Sequence, residues 1–320
     1  MKKFSVIDMH CDTMTGLCRS GKDFRDNDCH ISLKKMSEGN YLMQCFAMFL
    51  YLERTPEPFK QCNIYIDYFD KMMKENSDVI RPVTTVEEIM ENREKGLMSA
   101  MLTIEEGEAI EGSLENLQHF YDRGVRMMTL TWNFANQLAF PNYVYEGRID
   151  TERGLTEKGI EVIKKMWEIG MIVDVAHLND AGIYDVFKYA TKPIVASHSN
   201  ARAVHDVPRN LSDDMIIKLR ENGGIMGINY CPNFISKDAE HNQIPDIIRH
   251  IKHIVEVGGI ETVALGSDFD GIPTPVGMSD CSKTNDLYDA LVREGFSEED
   301  IDKIFYKNFL RVLKANQVTK

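Results

Sequence analysis

The sequence has no uninterrupted apolar run near the length of about 18 residues that a membrane-spanning helix needs. Positive charge is scarce: 37 Lys and Arg stand against 50 Asp and Glu, a formal net charge of -13. That balance argues against nucleic acid and anionic lipid surfaces, which are bound through a surplus of positive side chains. The cysteines, at 11, 18, 29, 45, 62, 231 and 281, are odd in number and include no C-x-x-C pair. They give no reason to expect a disulfide framework. There is no Walker loop, no G-x-G-x-x-G and no serine nucleophile elbow. Two lysines at the start have no apolar stretch behind them, so no secretory signal is expected. The expectation is a cytoplasmic protein that engages neither membrane nor nucleic acid.

What the sequence does have is alternation. Apolar runs at Val6–His10, Leu42–Tyr51, Leu97–Glu105, Val125–Trp132, Met171–His177, Pro193–Ser199, Gly224–Cys231 and Thr262–Asp270 read as strands. Amphipathic segments such as Val86–Lys95, Leu114–Arg123, Thr156–Ile169 and Pro245–Val257 separate nearly all of them. Strands alternating with helices imply a parallel sheet with right-handed crossovers. Runs such as Ile172-Val173-Asp174-Val175-Ala176 are apolar almost throughout, as strands covered on both faces should be. Eight such units predict an α/β protein, a single (β/α)8 TIM barrel over residues 1–320 that ends in a helix from Ser297 to Lys314. Ser20–Ser37 and Asn133–Leu155 read as long loops on the catalytic face.

Polar residues cluster where those runs end. They are His10 and Asp12, Glu105 and Glu106, His177, His198, and Asp268 and Asp270. Barrel closure brings strand ends to one mouth, so these positions become neighbours. His10 and Asp12 alternate on a strand and can aim at one ion. His177 and His198 occupy matching ends one β-α-β unit apart, and imidazole is a common zinc ligand. A carboxylate could bridge two ions; Glu105 is the first choice, with Glu106 and Glu108 as competitors or merely solvated loop acids. An arginine near the sixth strand, Arg209 or Arg202, could grip a carboxylate, and composition does not separate the two. His250 and His253 read as a solvated helix face, Cys11 as packing, and Cys231 as a potential pocket residue.

These residues, in this order, resemble the membrane dipeptidase family. The matching stretches are Ile7-Asp8-Met9-His10-Cys11-Asp12, Ile104-Glu105-Glu106-Gly107, Asp174-Val175-Ala176-His177, Ser197-His198-Ser199, Arg209-Asn210 and Gly266-Ser267-Asp268-Phe269-Asp270-Gly271. The resemblance implies a dipeptidase with two Zn2+ ions, one held by His10 and Asp12 and the other by His177 and His198, with Glu105 bridging. It implies that Arg209 grips the C-terminal carboxylate of a small peptide. Asp268 then contacts substrate and carries a proton, and a hydroxide shared by the two ions attacks the peptide carbonyl. A C-terminal D-residue and a homodimer are also in keeping with the family. One position departs: mammalian members have a histidine after Leu-Thr where this chain has Trp132, which leaves the oxyanion to the metal or to Asn133. Rival readings are another binuclear amidohydrolase-like reaction, on a cyclic amide, lactone or phosphoester, and a retired barrel that only binds.

Overall fold

The computed structural model describes residues 4–143, 150–238, 243–273 and 277–318. Among these residues, nine parallel strands make up one sheet: β1 (Val6–Asp8), β2 (Tyr41–Phe49), β3 (Ile80–Val83), β4 (Met98–Glu105), β5 (Met127–Thr129), β6 (Ile172–Asp174), β7 (Val195–Ala196), β8 (Ile225–Ile228) and β9 (Val263–Leu265). They run in the order β2-β1-β9-β8-β7-β6-β5-β4, and β2 pairs with β4 in register from Met43–Ser99 to Phe49–Glu105. That pairing closes an eight-stranded ring, the (β/α)8 barrel expected from the alternation. β3 stands outside the ring, joined only to the first half of β4, on the edge that β5 occupies higher up.

The sequence had shown no strand at Ile80–Val83. Arg81 and Pro82 face solvent there and interrupt the apolar pattern. Pro82 lacks an N–H and is tolerated because β3 has one neighbour only. The other strands are shorter than the apolar runs suggested, so His10, His177, His198 and Asp268 lie on the first turns of the following loops, whereas Glu105 is the last residue of β4. β6 stops at Asp174 and β7 at Ala196, before His177 and His198. Part of the Asn133–Leu155 loop, residues 144–149, lies outside the described residues.

The barrel interior is filled by small and medium apolar side chains, among them Ile7, Met43, Met101, Ile172, Val195 and Ala264. Phe309, Val312 and Leu313 of the C-terminal helix (Asn308–Asn316) pack against the same cluster and seal one end. At Gly266 the carbonyl of Ser197 comes so close that a Cβ would collide with it. Glycine there lets the chain just after β9 pass close to the Ser197 carbonyl on its way to Asp268. No helix among the described residues is long and apolar enough to cross a membrane.

Candidate metal centre

Among the described residues, six non-glycine residues have positive φ, and four of them sit at the barrel mouth: Glu106 (97°), His177 (68°), Asp268 (64°) and Asp270 (66°). Left-handed backbone is costly for side-chain-bearing residues and concentrates where function holds it in place. Here it turns the chain sharply just past each strand, which aims His177 and Asp268 inward rather than along the sheet.

Glu105 lies at the middle of the cluster and is buried. Its Oε1 is 3.1 Å from His177 Nε2 and 3.5 Å from His198 Nε2. Its Oε2 is 3.4 Å from His10 Nε2, which lies 3.9 Å from Asp12 Oδ2 and 3.8 Å from Asp268 Oδ1. The two carboxylate oxygens therefore face two separate sets of donors. Three groups have ligand atoms close enough to surround an ion: His10, Asp12 and Glu105; Glu105, His177 and His198; and His10, His198 and Asp268.

The outer nitrogens of two imidazoles are fixed. His177 Nδ1–H donates to Asn133 Oδ1 at 3.1 Å. His198 Nδ1–H donates to Ser197 Oγ at 2.7 Å, and that hydroxyl donates to Asp174 Oδ2 at 2.5 Å. Each Nε2 is then a bare lone pair, and the two stand 3.0 Å apart. With Glu105 Oε1 beside them, three acceptors converge on one point without a hydrogen to share. On the other side His10 Nε2 and Asp12 Oδ1 are buried without a hydrogen-bond partner. Buried polar atoms left unpaired in this way are costly unless a cation joins them. The nitrogen and carboxylate donor set fits a divalent metal such as zinc.

The local electrostatics agree. Burial, then Arg209, holds His177 down at about 4, and burial with the His10 charge holds His198 well below the usual imidazole range. Both are thus neutral, the form that ligates metal. Burial opposes charge on Glu105, but the charge on His10 beside it outweighs this and keeps the carboxyl well below its ordinary range. Burial also opposes charge on His10, yet Glu105, Asp12 and Asp268 raise it to about 10. The anionic setting that favours charge on His10 suits a metal cation as well. Burial pushes Asp268 up to about 6, and its Oδ2 accepts from Asn229 Nδ2 at 3.0 Å.

A cavity of about 390 Å³ opens above this cluster. Asp12, Glu105, His177, Asp268, Arg209 and Asn133 all line it, as does Cys231. Arg209 is buried, donates to His198 O at 3.2 Å and Ser199 Oγ at 3.4 Å, and keeps its Nε without a partner. Arg202 is committed elsewhere: it makes a two-pronged ion pair with Asp180 at 2.7 Å. Trp132 packs edge-on against Phe49 and Tyr51, with ring centroids 4.9 and 5.4 Å apart, and forms an aromatic wall.

Two readings from sequence need correction. Glu106 is not a solvated loop acid. It is fully buried and takes the amides of Glu108 and Trp132 and the side chain of Asn136, so it ties the loop after β5 to the end of β4. His250 is not on a solvated face. It is buried, accepts from Ala201 N at 3.1 Å and lies 2.8 Å from Ile235 O.

Sequence reasoning also gave no role to Asp8 and Asp174. Each takes an amide and a hydroxyl from the serine that precedes a site residue: Asp8 from Ser267, Asp174 from Ser197. The available signal was a charged residue inside an otherwise apolar strand, which must find partners when buried.

A closed parallel barrel with buried nitrogen and carboxylate donors gathered at the mouth defines a metal-dependent hydrolase. The chain belongs to the membrane dipeptidase family (peptidase family M19), whose description matches residues 1–320, and is accordingly a metal-dependent dipeptidase. An uncharacterised protein from the pqqA 5' region of Klebsiella pneumoniae is 37% identical over 226 residues, covering 69% of this chain and 83% of its own. An uncharacterised dipeptidase of Schizosaccharomyces pombe is 33% identical over 303 residues, covering 90% of this chain and 73% of its own. A metallopeptidase of Rhodobacter sphaeroides, solved with a phosphinate mimic of L-Ala-D-Ala, superposes with a TM-score of 0.89. The match covers 99% of this chain and 100% of that one at 23% identity, a likeness of fold.

Proposed function

We propose that this chain hydrolyses dipeptides with two zinc ions. His10 and Asp12 hold one, His177 and His198 the other, and Glu105 binds both. The observation that carries this reading is the pair of facing imidazole nitrogens, 3.0 Å apart, with the Glu105 oxygen 3.1 Å from one of them and no hydrogen between. Bound zinc would supply Lewis-acid polarisation of the carbonyl and acidify water towards neutral pH.

The chain's own residues do the rest. Arg209, buried and with its Nε unspent, binds the C-terminal carboxylate of the substrate. That clamp favours peptides with a free C-terminus close to the scissile bond. Asp268 lines the cavity with one oxygen facing His10 and the other held by Asn229, so it is placed to pass a proton to the leaving amine. Asn133 fixes His177 through its carbonyl, and its amide nitrogen is available to the oxyanion. Trp132 and its aromatic neighbours give that side of the cavity an apolar wall.

The test is chelation followed by reconstitution, with L-Ala-L-Ala and L-Ala-D-Ala as substrates. Turnover should vanish on thorough removal of metal and return on adding zinc. Turnover that survives complete chelation rejects the reading.

A further inference from the structure

We infer that Arg19 forms a subsite for an acidic side chain on the N-terminal residue of the substrate, an inference that rests on the dipeptidase reading above. Among the described residues, Arg19 and Arg209 are the two cationic side chains on the cavity wall, which otherwise carries Asp12, Glu105, Asp268 and Asp270. Arg209 is accounted for by the substrate's C-terminal carboxylate. Arg19 is not, and it has no carboxylate partner among the described residues.

Its guanidinium is nonetheless held in place. Nε and Nη2 both donate to the hydroxyl of buried Tyr65, at 3.0 and 2.8 Å, and the group lies over the Tyr65 ring at 5.5 Å. Five N–H groups radiate from a guanidinium, so the Nη1 side of the fork remains to receive a carboxylate. An arginine fixed by a buried phenol, with its outer edge unspent, is prepared for an anion at lower entropic cost than a free one.

Position assigns the subsite to the first residue of the substrate. Arg209 follows β7, and in the closed ring the strand opposite β7 is β2, with β1 beside it. Arg19 lies on the helix that follows β1, Thr13–Ser20. With the C-terminal carboxylate on Arg209, the N-terminal residue points across the mouth to that helix. Seven residues separate Asp12 from Arg19, roughly 10 Å along a helix axis. The extended Arg19 side chain and an acidic substrate side chain reaching towards it together cover that gap.

A second observation favours the same wall. Gly16 sits inside this helix, where glycine is destabilising relative to alanine. Its backbone does not require glycine: its φ is not left-handed, and an added Cβ would meet nothing within 4 Å. It lines the cavity one turn before Arg19. The missing side chain leaves a path from the metal centre to the guanidinium.

The experiment uses the zinc-loaded enzyme and compares kcat/KM for the matched pairs Glu-Ala and Gln-Ala, and Ala-Glu and Ala-Gln. Wild type should prefer Glu-Ala over Gln-Ala by tenfold or more, mainly through KM, and show no such preference in the second pair. Arg19→Gln should bring the first ratio close to one, and Arg19→Glu should turn the preference towards Lys-Ala. Tyr65→Phe should weaken the ratio partly, whereas Arg25→Gln, a surface arginine paired with Asp78, should leave it as in wild type. Gly16→Val should lower kcat/KM for Glu-Ala more than for Gly-Ala. Turnover of Gln-Ala with no preference for Glu-Ala, a ratio that survives Arg19→Gln, or a preference confined to the second residue overturns the subsite while the dipeptidase reading stands. No turnover of any dipeptide overturns both.

Discussion

Asp174 and Ser197 form a buried pair that orients a third residue: the Asp174 carboxylate takes both the amide and the hydroxyl of Ser197, at 2.8 and 2.5 Å, and the hydroxyl oxygen takes the Nδ1–H of His198. The pairing of Asp8 with Ser267, at 2.9 and 2.6 Å, repeats the device two strands away, just before Asp268. Partners of this kind set the tautomer and direction of a ligating imidazole, and their loss weakens metal binding by roughly 10- to 100-fold. Ser197→Ala should therefore lower zinc affinity by about that factor with little change in fold. Competition titration with a chromophoric chelator measures it, and an unchanged affinity would remove the positioning role.

Arg209→Met should act on substrates according to their C-terminus. The lost contact is a charge-assisted hydrogen bond, and such bonds contribute about 1.5–3 kcal/mol. KM for a dipeptide should rise by one to two orders of magnitude. The same dipeptide with an amidated C-terminus, already poorly bound by wild type, should be nearly indifferent to the change. Equal losses on both substrates would place Arg209 outside substrate recognition.

Glu106→Ala should loosen the loop after β5 and cost stability. It leaves the amides of Glu108 and Trp132 without their acceptor. Each buried donor left unsatisfied costs about 1–3 kcal/mol. Thermal unfolding should show a clear drop, with Glu106→Gln milder because its side-chain oxygen still accepts. A variant as stable as wild type would contradict the buried anchoring role.

His250 should make folding sensitive to acid. Burial, offset in part by the Ile235 carbonyl, holds its pKa at about 4 against an ordinary 6.5. The unfolded chain takes up a proton below 6.5 that the folded one refuses until about 4. Stability from this residue is therefore complete above pH 6.5 and declines as pH falls to about 4, by up to about 3 kcal/mol. His250→Gln, which can still accept from Ala201 and donate to Ile235, should flatten that part of the stability profile in urea titrations. An unchanged slope would assign the acid sensitivity to other groups.

Much of this architecture is legible in the sequence because parallel barrel strands are covered on both faces. They read as apolar runs, and His177, His198 and Asp268 stand out at their ends. The chemistry required of a ligand is what interrupts the pattern. β3 escaped because an outer strand with one partner tolerates Arg81 and Pro82, which break the apolar signal. Glu106 could not be told from a loop acid because its burial depends on a left-handed turn and on Asn136, thirty residues away. The fate of His250 depends on what covers its helix face, namely the backbone near Ala201 and Ile235, and periodicity along one helix does not contain that. Composition does not separate Arg209 from Arg202; the resemblance favours Arg209, and the structure supplies the physical reason, since Asp180 occupies Arg202.

The central claim is that two metal ions flank Glu105. Crystals of the zinc-loaded enzyme, measured at the zinc absorption edge, test it most directly. The account predicts two anomalous peaks, one between His10, Asp12 and Glu105 and one between Glu105, His177 and His198, with elemental analysis giving two zincs per chain. A fully active enzyme with one peak or none at these side chains would contradict it.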